Sequence, residues 1–319
     1  MVLITVSALV LDLVAGDPPN RCHPTAWIGR LIARITVYFK SDDPRTERMG
    51  GVAIVVIPVA LVMAILVIIY SSLDLLEPGL LYSIIYVLLG VVLLKITIAI
   101  HGMEQYARSV AQAVSCGDIA SARSHLAAIV KRDTSSLDES HIISGAVESV
   151  SENTVDGITG PLFYFGILGI PGAFVHRVVN TADSMVGYRT GMFSNLGRFA
   201  AGCDTVLNYV PARITALITI LASALLGMDW KGSYHVMLRD GKRTDSHNAG
   251  YPMAAAAGAL GARLEKKGHY ALGNGHDALS VHHIYRAIRL MKITSFVFCC
   301  TVTIPMAVSL LYVGWWIGA

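Results

Sequence analysis

The chain is 319 residues long, 54% apolar and only 15% charged, with a mean hydropathy of +0.57; soluble domains carry about 25% charged residues, so an ordinary soluble protein is excluded. The formal net charge of +3 comes without any run of about five or six like charges, which excludes the electrostatic footprint of a nucleic-acid binder. Five cysteines without C-x-x-C spacing indicate neither a zinc site nor a disulfide framework.

Residues 1–15 are apolar, but they lack a basic start and an A-x-A site, and Asp12 interrupts them, so the run reads as retained structure rather than a signal peptide. A helix of that length extends about 22 Å, enough to pack obliquely into a bundle or to span with help from neighbours. The turn that follows, LDLVAGDPPNRCHP, places Asp12, Asp17 and His23 at the membrane edge; a lone His there reads as a structural hydrogen-bonder.

Residues 51–71 carry no charge and residues 80–100 carry only Lys95, and each run is long enough to cross about 30 Å of hydrocarbon. Their link holds Asp74 and Glu77, whereas the flanks hold Arg30, Arg34, Lys40, Arg45, Arg48 and Arg108. The positive-inside rule therefore puts the flanks in the cytoplasm, and Lys95 is expected to snorkel to that interface. Residues 293–318 form a third span that leaves from Arg286, Arg289 and Lys292 and runs outward. The expected fold class is all-α: a polytopic integral membrane protein, one domain over residues 1–319, with cytoplasmic helical loops and re-entrant or broken helices.

Two further apolar runs are ambiguous. Residues 158–176 contain Pro161 and Pro171 among several glycines, a composition that breaks a regular helix. Residues 207–227 have Pro211 and Arg213 near their start, which leaves a short clean stretch. Since the basic loop after Met228 belongs in the cytoplasm, either both cross or neither does; the expectation is that neither crosses fully.

The chemistry sits in the polar loops. ESVSENTVDG places Glu148, Glu152 and Asp156 at i, i+4 and i+8, one face of a helix. Two readings stay open: a hard cation such as Mg²⁺ held with substrate phosphate, or a solvated face. NTADSMVGYR offers Asn180, Asp183, Ser184, Tyr188 and Arg189; Arg189 suits either a phosphate or a cytoplasmic anchor. In DSHNAGYPMAAAAGALGARL a turn with Asn248 precedes a helix of small residues, the composition of tight packing. No P-loop, G-x-G-x-x-G, H-E-x-x-H or G-x-S-x-G is present, so nucleotide chemistry needs another kind of site.

Taken together, LD..AGDPP...HP (Leu11 to Pro24), KRDT..LDE (Lys131 to Glu139), ESVSENTVDGITGPLFY (Glu148 to Tyr164), VNTADSMVGYR (Val179 to Arg189), LNYVPAR (Leu207 to Arg213) and NAGYP with AGALG (Asn248 to Gly261) make the chain resemble the CbiB/CobD family, the adenosylcobinamide-phosphate synthases of cobalamin biosynthesis. The resemblance implies a multi-pass enzyme of the cell membrane, with catalytic loops in the cytoplasm. It implies amidation of a propionate of adenosylcobyric acid with 1-amino-2-propanol or its O-phosphate, drawing on ATP. It leaves open self-association or association with other cobalamin-assembly proteins. His247 and Met253 depart from the family pattern, which commonly has Pro and Glu there, so a role for that glutamate does not carry over.

A carboxylate is a poor acyl donor at neutral pH, so amide formation needs activation, most simply as an acyl phosphate, with a cation on the phosphates and donors on the oxyanion. On that chemistry Glu148, Glu152 and Asp156 are expected to hold Mg²⁺ or take the amine proton, Asn153 to be an oxyanion donor, and Asp183 a second metal contact or general base. Arg132, Arg189 and Arg213, with Asn180, Tyr188 and Asn248, are expected to bind phosphate and carboxylate. The competing classes are a transporter and a corrinoid-binding membrane scaffold. A transporter predicts repeat-related broken helices and mid-membrane charges, and no internal repeat is visible.

Overall fold

Short polar residues set where the helices begin. In the computed structural model of the protein, which describes residues 1–18, 21, 23–187, 193–275 and 278–313, Asp43, Asp118, Asp138 and Asp229 each accept a hydrogen bond from a backbone N–H in the first turn that follows. These donors have no partner within the helix, so each cap removes an unsatisfied group. His23 does the same for its helix: Nδ1 accepts from the Thr25 N–H, and Pro24 occupies the first helical position.

The helices in chain order are α1 (Val2–Ala15), α2 (Pro24–Phe39), α3 (Pro44–Leu73), α4 (Leu80–Thr97), α5 (Ile100–Ser115), α6 (Ile119–Ala127), α7 (Glu139–Thr154), α8 (Gly160–Val186), α9 (Arg198–Leu207), α10 (Tyr209–Leu225), α11 (Trp230–Asp240), α12 (Gly250–Leu260), α13 (Val281–Phe298) and α14 (Ile304–Tyr312). π-Helical turns at Val155–Thr159 and Cys299–Thr303 follow α7 and α13. Among the described residues the strands are a two-stranded antiparallel ribbon, β1 (Leu264–Lys266) with β2 (Tyr270–Leu272). The chain divides into two compact units. One is made of Met1–Ala99, Gly160–Leu207 and the chain from Thr301; the other is made of Ile100–Thr159 and Asn208–Cys300.

The protein is an all-α polytopic membrane protein. Among the described residues, four helical stretches are long and apolar enough, by length and composition, to cross a bilayer: Pro44–Leu73, Leu80–Ser115, Glu139–Val186 and Val281–Tyr312. They contain the three expected spans, the third as far as Tyr312. The most apolar window of Pro44–Leu73 is only 22% buried within the protein, and its Val56, Leu61, Ile65 and Ile68 are exposed. An apolar surface of that extent is stable only against lipid.

The run at residues 158–176 is broken, as its composition predicts. What continues as α8 is two helices that meet at Gly169, whose φ of 67° and ψ of −153° are non-helical and suit a residue without Cβ. The chain turns back there: the rings of Tyr164 and His176 stack with centroids 5.5 Å apart, where twelve residues of continuous helix would hold them about 18 Å apart. By length and composition alone, Glu139–Val186 also meets the requirements of a span. The run at residues 207–227 is closer to expectation: the helix breaks at Asn208, and α9 and α10 reach the length of a span only as a pair.

Within the first unit, isoleucines of α2 (Ile28, Ile32, Ile35) meet Ile54 of α3, Val178 and Val179 of α8, and Leu196. A second cluster joins Ile4 and Ala8 of α1 to Leu94 of α4 and Phe165 and Phe174 of α8. Thus α1 packs into the unit as a short helix. Lys95 does not snorkel. It is 5% exposed, and its Nζ lies 2.6 Å from Asp17 Oδ1 and 3.4 Å from Asp12 Oδ1. The reason is α1 itself, which brings a fully buried carboxylate beside α4, and a buried charge persists only when paired. His23 Nε2 approaches Asp17 Oδ1 at 3.7 Å and completes the group.

Replacing Lys95 by Met leaves Asp12 buried beside an apolar side chain, and removing one partner of a buried pair costs about 3–5 kcal/mol. The expected outcome is a lower unfolding temperature and folded yield in detergent for Lys95→Met, with Lys95→Arg retaining most of both; equal stability of the Met variant would show that the pair is dispensable. Burial pushes Asp17 upward, but the hydrogen bonds from His23 and Lys95 and the charge on Lys95 outweigh it and hold the carboxyl at about 2, below its ordinary 3.8. A depressed acid stabilises the fold fully above its unfolded value and loses that contribution as pH falls through the folded one. Thermal stability of the wild type is therefore expected to fall between about pH 4 and pH 2, and Asp17→Asn to flatten that part of the profile.

Candidate active site

The second unit holds its polar chemistry around one carboxylate. Glu148, in the middle of α7, is 5% exposed. The loop between α6 and α7 folds back over it because three side-chain bonds pin that loop. Ser149 Oγ donates to Ile129 O at 2.8 Å, Arg123 Nε to Leu137 O at 2.8 Å, and Thr134 Oγ1 to Arg123 O at 3.0 Å. The loop thereby delivers Arg132, whose two terminal nitrogens face the two oxygens of Glu148 at 3.3 and 3.4 Å. Gly145, one turn before Glu148, makes this approach possible: a Cβ there would collide with the guanidinium nitrogen and with Leu126.

Two further groups complete the shell. Ser144 Oγ donates to Glu148 Oε1 at 2.7 Å and accepts from the Glu265 N–H at 2.7 Å, tying α7 to β1. Tyr270 Oη donates to Glu148 Oε2 at 2.9 Å. The ribbon register explains its reach. Tyr270 lies two residues before Leu272, which is buried opposite Leu264, and the period of two points both side chains to the same face. Burial, reinforced by the charge on Glu148 and its hydrogen bond, pushes the Tyr270 phenol well above its ordinary range, and the field of Glu152 adds to this. Tyr270 therefore stays a proton donor at neutral pH.

Glu148, Glu152 and Asp156 do not gather as one cluster: among the described residues no three His, Cys, Asp or Glu come together as a metal site. Glu148 is committed to Arg132, Ser144 and Tyr270, while Asp156, half-buried in the π-helical turn, accepts from Asn208 Nδ2 at 3.1 Å. The solvated-face reading fails for Glu148, which is buried, whereas Glu152 is half-buried. Asn153 Nδ2 donates back along its helix to Ser149 O at 2.9 Å and to Ser149 Oγ at 3.3 Å, so an oxyanion role requires that it exchange this bond.

Arg213 and Asn248 do come together. Arg213 Nη1 donates to Asn248 Oδ1 at 3.0 Å and to Tyr209 O at 2.6 Å. Its guanidinium lies 3.5 Å from the Tyr209 ring centre and 4.6 Å from that of Tyr251, an arrangement that fixes a cation by its faces. The helix that follows, α12, is buried from Pro252 to Leu260 as its small residues predict, and Ser233 Oγ of α11 donates to Ala255 O at 2.8 Å.

Asn180 and Asp183 belong to the first unit, on α8, where Asn180 Nδ2 donates to Asp204 Oδ1 at 3.3 Å. Tyr188 and Arg189 lie outside the described residues. Sequence reasoning missed Ser144, Tyr270 and Asp204. A phenol two residues before a buried leucine in a short ribbon was the one available signal for Tyr270.

Tyr270→Phe deletes a donor to a buried carboxylate, and a hydrogen bond to a charged group contributes about 1.5–3 kcal/mol. Stability of the purified protein is expected to fall by that order, with a larger loss for Glu148→Leu, which leaves Arg132 unpaired; no change in either variant by thermal unfolding would remove the cluster from the list of folding determinants.

Residues 5–291 match the family described as CobD/Cbib protein. The chain is 38% identical over 297 residues to the probable cobalamin biosynthesis protein CobD of Methanothermobacter thermautotrophicus, covering 93% of this chain and 95% of that protein. It is 42% identical over 274 residues to the cobalamin biosynthesis protein CobD of Dehalococcoides mccartyi, covering 86% and 87% of the two chains. With the probable CobD of Thermoplasma volcanium it shares 35% identity over 308 residues, 97% of this chain and 98% of the other. No solved structure matches. Similarity at this level over almost the whole length establishes that the chain belongs to the CobD/CbiB family.

Proposed function

We propose that this protein is an amide synthase of cobalamin biosynthesis: it joins 1-amino-2-propanol or its O-phosphate to a propionate of adenosylcobyric acid at the expense of ATP, in the cell membrane, with the loops of the second unit on the cytoplasmic side. The observation that carries the reading is the Arg132 cluster. Among the described residues the buried Nε–H of Arg132 has no acceptor, although its terminal nitrogens are held by Glu148. A guanidinium fixed on one edge and unsatisfied on another suits a substrate carboxylate or phosphate, for which the planar fork is the matching donor.

The reaction asks for three things, and the residues divide among them. Arg132 binds the propionate or the phosphate that activates it. Arg213, clamped between Tyr209 and Tyr251 and joined to Asn248, supplies a second fixed cation for the anionic reactants. Glu152 and Asp156 offer the carboxylate oxygens that Mg²⁺ prefers, and one or two from protein suffice when substrate phosphates complete the shell; Glu148, with both oxygens taken, does not fit that role. Bound there, Mg²⁺ neutralises phosphate charge during activation. Asn153 serves the developing oxyanion after exchanging its bond to Ser149.

The test is direct. Purified protein in detergent is offered adenosylcobyric acid, ATP, Mg²⁺ and either amine, and the products are resolved by mass. Amidated corrinoid with matching ATP consumption is expected; unchanged corrinoid with both amines, from folded protein, would overturn the reading. Glu152→Gln keeps size and hydrogen bonding while removing one charge. It is expected to raise the Mg²⁺ concentration needed for half-maximal turnover, or to abolish turnover, with little change in folded yield; wild-type turnover at every Mg²⁺ concentration would sink the cation assignment.

A further inference from the structure

Beside the Arg132 cluster, and untouched by the roles given so far, the start of α7 and strand β1 border a half-open cleft of about 140 Å³ lined by Ser140, His141, Ser144, Arg263, Glu265 and Leu279. Drug-sized ligands occupy pockets of about 300–1,000 Å³, so this cleft admits a molecule of few heavy atoms and is too small for a corrinoid. Ser144, one of its lining residues, donates its hydroxyl to Glu148, so the cleft adjoins the Arg132 cluster.

His141 is the group in the cleft equipped for proton transfer. Its Nδ1 is 2.6 Å from Asp138 Oδ1, and the same carboxylate oxygen accepts the His141 backbone N–H at 2.9 Å. Those two bonds, the backbone one foremost, hold Asp138 at about 2, so at neutral pH it is an acceptor only. Nδ1 must then carry the hydrogen, which leaves the Nε2 lone pair of the neutral ring to accept a proton. A base oriented by a second group in this way is the arrangement that activates nucleophiles. The remaining charges are exchangeable. Arg263 Nε lies 3.4 Å from Glu265 Oε2, both largely exposed, and Lys267 Nζ lies 3.5 Å from Asp138 Oδ2. Exposed pairs of this kind are weak enough for Arg263 to turn from Glu265 to an oxygen of a ligand.

We propose that this cleft is the pocket for the small amino-alcohol co-substrate, with Arg263 holding its oxygen-bearing end and His141 taking the proton from its nitrogen; the inference rests on the amide-synthase reading above. In the step itself the amine nitrogen forms a bond to the acyl carbon. The bond from that carbon to the phosphate oxygen breaks, the phosphate leaves with the electron pair, and the nitrogen's proton passes to His141 Nε2. The phosphoryl group that makes the acyl carbon reactive comes from ATP.

Full-length protein in detergent, as wild type, His141→Ala and Arg263→Met, is tested in two ways. In the first, binding of 1-amino-2-propanol and of its O-phosphate is measured alone by titration calorimetry, without corrinoid or ATP. In the second, turnover is measured with each amine varied and, separately, with the corrinoid varied. Saturable binding to wild type that weakens on the order of tenfold or more in Arg263→Met is expected. His141→Ala is expected to lose about 10²–10⁴-fold in kcat with the KM for corrinoid unchanged, and added imidazole to restore part of the loss. That restoration separates proton transfer from a structural role, since imidazole does not repair a misfolded cleft. Turnover with unaltered kcat in His141→Ala, or equal amine affinity in wild type and Arg263→Met, overturns this site while leaving the amide-synthase reading in place. Absence of product from wild type with both amines overturns that reading instead, and the calorimetric comparison then decides the cleft by itself.

Discussion

A carboxylate at the centre of a helix, out of water, is tolerated only when every lone pair has a partner, and the second unit is built around that demand at Glu148. Removing a charge of this size from water costs several kcal/mol even after relaxation, and the cost is recovered only by well-placed donors. Arg132, Ser144 and Tyr270 come from three separate stretches of chain, and each is there for a local reason. A pinned loop brings the first, the preceding helical turn brings the second, and strand register brings the third. Because the three must converge on one group, the loop, the helix and the ribbon are positioned together. A cluster assembled this way fixes its charges by bonds from three directions.

The same rule operates in the first unit with the signs reversed. There a lysine lies among apolar helices, and two aspartates from the first helix and the turn after it answer its charge. The arrangement explains why so short a helix as α1 has a defined place: its apolar face packs on α4 and α8, and its one acid is required at Lys95. In a low-dielectric setting an ion pair specifies position more sharply than apolar packing, because a shifted partner leaves an uncompensated charge.

Most of the fold was readable from residue types alone, and the reasons are physical. Runs of about twenty apolar residues can satisfy their backbone in lipid only as helices, so residues 51–71 and 80–100 admitted a single interpretation. The structure adds the caps by which His23, Asp43 and Asp138 start α2, α3 and α7. Residues 158–176 were legible as a break, since two prolines and several glycines describe a discontinuous segment; that the chain turns back at Gly169 onto Tyr164 was decided by packing. Local composition shows where hydrogen bonds will be lost, and the packing of both sides determines whether the helix resumes beyond the loss.

The sequence by itself determined the membrane class, the positions of three spans and, through motifs distributed along the whole chain, the family; each of these depends on residue type and spacing along one line. Only the tertiary structure decided which charges meet. Spacing suggested that Glu148, Glu152 and Asp156 would share a cation, yet Glu148 belongs to Arg132 and Tyr270, the latter 122 residues away. Lys95 was expected at the interface and is instead bound to Asp17 across 78 residues. Electrostatic partners are chosen by distance through space and by the dielectric around them, and neither quantity is written in the order of residues along the chain.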